Sequence, residues 1–175
     1  MMERELFIEE RILALDLAKA REKELLDVGA GPLARIAAEQ YDCYVTSIDT
    51  SGEALLRVEA EAEKQGVAEK ISFELEDASD LTYCDDAFDI GICFCAVHHI
   101  APEKRAPAIA ELFRVVFERL VVAEFTPAGF DARHKDDPFV PVDLEWLKTE
   151  LANLGPVTVH DAGEIRIFVL EKRVG

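Results

Sequence analysis

No apolar run in the sequence approaches the roughly 18–20 residues that a membrane-spanning helix needs. The first twenty residues, MMERELFIEERILALDLAKA, are charged throughout, so they read as lacking the apolar core of a secretion signal. The cytoplasm is the expected location. Basic residues are few: Lys plus Arg number 19 against 36 Asp plus Glu, a formal net charge of −17. That balance argues against nucleic acid, whose binding rests on basic surface, and against anionic membranes. Cysteine is sparse, with 4 residues at positions 43, 84, 93 and 95. A chain of 175 residues needs no disulfides to hold its core, so these read as free thiols. Asn and Gln are scarce (Asn153, Gln40 and Gln65) beside abundant Glu, a mixture seen in thermophilic proteins. There is no internal repeat, low-complexity tract or linker, and half the residues are apolar. A single domain over residues 1–175 is expected.

What is present alternates between helix and strand. Residues 4–20 carry Leu6, Phe7, Ile8, Leu13, Leu15 and Leu17 among charges, an amphipathic helix. The run 24–28 reads as a buried strand ending at Gly29; Pro32 suits a first helical turn that continues to about Gln40. A second strand covers 43–48. Thr50 and Glu53 have capping-box spacing and open a helix that stops near Gly66. Strands follow at 70–75 and 88–97, the latter apolar enough to be covered on both faces. Pro102 and Pro107 bracket the entry to another helix, and a fifth strand covers 119–125. Residues 126–142 read as a long loop, and Asp143 caps a helix with a leucine stripe. Runs at 156–160 and 164–172, separated by Asp161-Ala162-Gly163, read as a closing hairpin. Five β–α repeats and a hairpin predict a doubly wound α/β fold: a mostly parallel seven-stranded sheet with helices on both faces and an antiparallel end.

In such a sheet ligands bind beyond the carboxyl ends of the strands, at the switch in strand order. Those positions hold Asp27, Gly29, Ala30 and Gly31 after the first strand, Asp49 and Thr50 after the second, and Asp77 and Ala78 after the third. His98 and His99 follow the fourth strand, and Glu124 ends the fifth. Glycines let a backbone approach a ligand closely. A carboxylate about 20 residues beyond them is placed for ribose hydroxyls. Asp77 beside a small residue suits the edge of an adenine ring.

Taken together, these strand ends resemble the class I S-adenosylmethionine-dependent methyltransferases. LLDVGAGPLARIA resembles the first motif of that family, Asp49 falls on its ribose-binding acid, and Asp77-Ala78 on its adenine-binding pair. FDIGICFCAVHHI resembles the fourth strand and following loop of small-molecule methyltransferases. Two departures stand out: Leu33 occupies the place of the third glycine, and the usual Pro-Gly-Gly turn before the fifth strand is absent. The resemblance implies S-adenosylmethionine as cofactor. Asp27 with Gly29, Ala30 and Gly31 would hold its methionine end, Asp49 with Thr50 its ribose, and Asp77 with Ala78 its adenine. The implied reaction is in-line methyl transfer to a small molecule or a protein side chain.

An acceptor of high pKa needs a base, and His98, His99 and Glu124 are the candidates beside it. Strict alternation through Cys93, Cys95 and Val97 favours His99 over His98 as the ring facing the cofactor. The same alternation puts both thiols on one face of a buried strand as core fillers, and no metal site is expected. His134 and His160 have no evident partner, and Trp146 packs its helix on the sheet. Two rival readings remain: an NAD(P)-dependent oxidoreductase, and a non-catalytic relative that binds the cofactor or serves as a partner subunit.

Overall fold

The computed structural model describes residues 7–173. Its elements run α1 (Ile8–Leu17), β1 (Glu24–Val28), α2 (Leu33–Gln40), β2 (Tyr44–Asp49), α3 (Gly52–Lys64), β3 (Ile71–Leu75), β4 (Phe88–Phe94), α4 (Pro102–Val115), β5 (Val116–Phe125), α5 (Pro127–His134), α6 (Leu144–Ala152), β6 (Val157–Ala162) and β7 (Ile165–Glu171). One seven-stranded sheet has the order β3-β2-β1-β4-β5-β7-β6. The first five strands pair in parallel, and β7 runs antiparallel to both β5 and β6. The chain winds outward from β1 to β3, returns to β4 beside β1, and winds the other way. The switch in strand order therefore lies between β1 and β4.

Period-two alternation divides each central strand between two cores. Leu25, Ile90, Ile92, Val121, Ala123, Ile167 and Val169 face α1, α2 and the end of α3. Leu26, Cys93, Leu120, Val122, Phe168 and Leu170 face α4 and α6. This is the doubly wound, mostly parallel sheet with an antiparallel end that the alternation predicts. The parallel register aligns Val28 with Ile48 and Cys93, Asp49 with Leu75, and Phe94 with Ala123. It thereby gathers the loops after β1, β2, β3, β4 and β5 on one edge. No helix among the described residues is long and apolar enough to cross a membrane.

Several local expectations need correction. Of the first expected helix, residues 4–6 lie outside the described residues, and α1 begins at Ile8. The cap of α3 is Ser51, whose Oγ accepts from Ala54 N–H at 3.2 Å; Thr50 stands exposed before it. There are not five β–α repeats, because residues 76–87 join β3 to β4 without a helix. Pro107 lies inside α4 rather than at its entry. β4 stops at Phe94: Cys95 adopts a positive φ of 50° and turns the chain into a short 3-10 helix, Val97–His99. The alternation argument fails there, and the two thiols pack toward opposite faces, Cys93 toward α4 and α6 and Cys95 toward α1 and α2.

The expected loop at 126–142 contains α5. Its start is built from a Thr126 cap accepting from Gly129 N–H at 3.1 Å, with Pro127 in the first turn. The hairpin turn is Gly163-Glu164, since Ala162 pairs with Ile165. The cysteines among the described residues are all free. Trp146 packs, half-buried, against the α4–α6 core.

Candidate functional site

Two groups of side chains meet at the switch edge. The first surrounds the turn after β1. Gly29 has φ 96°, open to glycine at little cost, and its N–H donates to Ile48 O at 2.8 Å. A Cβ at this position would stand 3.1 Å from the Ala96 methyl, so the β1 and β4 loops touch here. Gly31 faces open space: a Cβ there meets no heavy atom within 4 Å. Leu33, in place of a third glycine, is buried as the first residue of α2 and anchors that helix in the core.

Asp49 links the turn to the next helix. Its Oδ2 accepts from Ala30 N–H at 2.9 Å and its Oδ1 from Ser51 N–H at 2.8 Å. Each carboxylate oxygen keeps a second lone pair for a ligand. Beneath the turn, Asp27 is 1% exposed and accepts from Ser47 Oγ at 3.2 Å. Burial pushes its carboxyl up to about 8, although the Ser47 bond and the charge of Arg11 act against this.

Asp77 sits on the loop after β3. Its Oδ1 accepts from Ser79 N–H and Oγ at 2.9 and 2.6 Å, and its Oδ2 from Lys104 Nζ at 2.9 Å. The Ser79 bonds, then Lys104, hold this carboxyl down at about 2. Ala78 turns into the α4 side of the core. The loop itself is tied to α4, with Leu81 N–H donating to Glu111 and Arg114 donating to the carbonyls of Leu81 and Tyr83.

The second group lies beyond β4 and β5. His98 is 2% exposed and Glu124 1% exposed. His98 Nδ1 and Glu124 Oε1 are 2.8 Å apart, and Oε1 also accepts from Phe125 N–H at 2.9 Å. Glu124 Oε2 accepts from the His98 backbone N–H at 3.2 Å. An ionised carboxylate only accepts, so Nδ1 carries the hydrogen and Nε2 of a neutral ring is a free lone pair. That Nε2 is buried and has no hydrogen-bond partner. The rings of Phe125, Phe130 and Phe139 lie around the His98 ring, centroid to centroid at 5.5, 5.8 and 5.7 Å.

His99 is exposed, its ring 4.2 Å from that of Phe139. Crowding by its neighbours, then the charges of His98 and His134, lower its pKa. The more buried imidazole, and the one held by a carboxylate, is His98; the strand ends before the alternation count reaches position 99, so that count does not decide which ring faces the cofactor.

Sequence reasoning missed three contributors. His134, at the end of α5, places its ring 4.7 Å from that of His98 and its Nδ1 2.7 Å from Asp137. Arg105, 5% exposed, joins two segments: it donates to Ile100 O at 3.0 Å and to Val140 O and Pro141 O at 2.5 and 3.2 Å. Beside the cluster a cavity of about 430 Å³ opens between α5 and the start of α6. Phe125 and Phe130 wall it together with Pro127, Val142 and Leu144, and the exposed Asp131 lies on its lining. The Thr126-Pro127 pair before Gly129 is the one sequence signal for α5, and a helix starting there carries His134 toward the β4 loop. His160 is far simpler, on edge strand β6 beside Thr158.

The sequence profile of a family described as "Methyltransferase domain" matches residues 25–118. Over 102 residues the chain is 30% identical to ajmaline N-methyltransferase of Rauvolfia serpentina, covering 57% of this chain and 34% of that enzyme. It is 34% identical over 117 residues to 27-O-demethylrifamycin SV methyltransferase of Amycolatopsis mediterranei, covering 62% of this chain and 42% of the other. The match therefore spans less than half the length of either relative. In structure, the magnesium protoporphyrin IX methyltransferase of Synechocystis, solved with bound S-adenosylmethionine, superposes with a TM-score of 0.72 at 16% identity, over 94% of this chain and 77% of that one.

Proposed function

The chain belongs to the class I S-adenosylmethionine-dependent methyltransferases, and from that premise we propose that it methylates a small molecule carrying an O–H or N–H nucleophile on an apolar skeleton. The observation that carries this reading is the contact of Gly29 with Ala96. It sets a glycine turn of cofactor-binding type against the loop that presents His98.

The residues at the strand ends fit S-adenosylmethionine. Open space in front of Gly31 leaves room for it, and the unused lone pairs of Asp49 suit the two ribose hydroxyls. The Asp49 carboxylate suits a cationic ligand; the carboxyl of Asp27 lies buried beneath the turn, and that of Asp77 is paired with Lys104. Ala30 and Gly31 offer backbone at the methionine end, with Thr50 beside Asp49; Asp77 and Ala78 border the adenine position. When bound, the cofactor supplies an electrophilic methyl group on a sulfonium. The chain supplies orientation and a dry site.

On the acceptor side, Glu124 fixes the tautomer and orientation of His98, leaving Nε2 to take the acceptor's proton. Phenylalanine rings exclude water from that nitrogen. The same rings favour an acceptor with an apolar skeleton, and the cavity beside them offers apolar side chains together with the acids Asp131, Asp143 and Glu145. A thiol or carbanion needs no such base, and a phosphate would call for free cationic donors, whereas Arg105 spends its donors on backbone carbonyls.

Calorimetry with S-adenosylhomocysteine tests the cofactor half. Asp49→Ala removes charged hydrogen bonds worth about 1.5–3 kcal/mol, so binding should weaken by about 10- to 100-fold. Unchanged affinity in this variant, or binding of NAD in place of the adenosyl ligand, refutes the assignment.

A further inference from the structure

A second imidazole, that of His134, stands beside His98. His134 reaches the acceptor site from α5, an element whose position is fixed from the far end of the sheet. Thr126 N–H donates to Glu164 O at 2.9 Å, and Arg133 donates to Glu164 Oε2 at 2.7 Å. Gly129 lies so close to the hairpin turn that a Cβ would stand 2.5 Å from Glu164 O. Held there, the helix ends with the His134 side chain 12% exposed, against the rings of Phe125 and Phe130 at 5.6 and 5.2 Å.

The two histidines are wired alike. Each has Nδ1 on a carboxylate, His98 on Glu124 at 2.8 Å and His134 on Asp137 at 2.7 Å. Each carboxylate forces the hydrogen onto Nδ1 and leaves Nε2 as the working atom. Nε2 of His98 is buried and unpartnered, and no hydrogen bond to Nε2 of His134 occurs among the described residues. A buried unsatisfied polar atom is costly and calls for a role. Glu124 is sealed in the core, while Asp137 is exposed. The pairs therefore form an inner and an outer station, 4.7 Å apart between ring centroids.

We infer that His134, oriented by Asp137, is a relay for the acceptor site: it receives the proton that His98 removes from the acceptor and releases it to solvent. This inference rests on the methyltransferase reading. The balance closes. As the acceptor's O–C or N–C bond forms, the methyl–sulfur bond breaks with its electron pair left on sulfur, and the acceptor's proton moves to His98 Nε2. His98 then passes that proton to His134 Nε2, directly or through one water, and His134 gives it to bulk water. Both rings return to neutral Nδ1–H forms, and one proton is released per transfer. The other charged and titratable groups around the pair are His99 from the 3-10 turn, Glu124 from β5, Arg105 from α4, and Arg133 beside His134 on α5.

The test is long-range proton–nitrogen NMR on the full chain with ¹⁵N-labelled histidine, with S-adenosylhomocysteine as the probe ligand. Neutral His98 and His134 are expected as Nδ1–H tautomers, against the Nε2–H form that water favours for exposed imidazole. In His134→Phe, which keeps a ring in place, exchange of the His98 ring protons with solvent slows by an order of magnitude or more. A merely structural His134 would leave that exchange rate unmoved in the variant, and that result overturns the inference, as does an Nε2–H tautomer at His134. Should the variant not fold, Asp137→Ala, altering an exposed residue, must release the His134 tautomer and slow the same exchange. Failure to bind S-adenosylhomocysteine in the wild-type protein instead refutes the methyltransferase reading, and the tautomer and exchange results remain separately readable.

Discussion

Replacing Asp27 with asparagine probes the electrostatics beneath the glycine turn. The carboxyl is 1% exposed, and its pKa is pushed up to about 8 by burial against the opposing Ser47 bond and Arg11 charge. In the unfolded chain the same group ionises near ~3.9. The fold therefore keeps this proton over a range where the unfolded chain has given it up. The stability so contributed is whole below the unfolded value and is lost as pH rises toward about 8. One proton gives a slope of about 1.4 kcal/mol per pH unit, so roughly four units amount to at most ~5–6 kcal/mol, less where water reaches the carboxylate. Asp27→Asn keeps the shape and an acceptor for Ser47 but cannot ionise. The variant should gain on the wild type by roughly 3–5 kcal/mol between about pH 5 and about pH 8. Urea denaturation followed by circular dichroism across that range measures the difference. Asp77 does not confuse it, because its carboxyl is held down at about 2 and its contribution is lost only as pH falls below the ordinary carboxylate value. Parallel stability curves for the two proteins would show that Asp27 is ionised in the fold, and the reasoning would fail.

Two glycines separate stability from binding. Gly129→Ala puts a Cβ 2.5 Å from a backbone carbonyl, so α5 must shift off the hairpin; a loss of about 1–3 kcal/mol in thermal or urea unfolding is expected, with the His134 ring signals displaced. Gly31→Ala meets nothing within 4 Å, so unfolding should be little changed while calorimetry shows weaker S-adenosylhomocysteine binding; equal affinity would mean that the turn does not face the ligand.

The sequence by itself determined the layering of this protein. Apolar runs such as 88–97, alternating with helical stretches, admit only a mostly parallel sheet covered on both faces. Strand ends then locate the acids at 27, 49 and 77 and the histidine pair at 98 and 99, because these are local properties of each run. Tertiary structure decided how those groups are used. The positive φ of Cys95 ends β4 and directs His98, rather than His99, onto Glu124. Periodicity carries no information about a single strained residue that the packed fold holds in place. The cap of α3 moved one residue, to Ser51, for the same reason: the length of β2 is set by pairing with β1 and β3. His134 was illegible as a site residue, because a Pro- and Gly-bearing segment reads as loop. Only contact with Glu164, more than thirty positions along the chain from Gly129, fixes that helix against the cluster. Local chemistry is written along the chain; which groups meet is set by long-range packing, which no window of sequence contains.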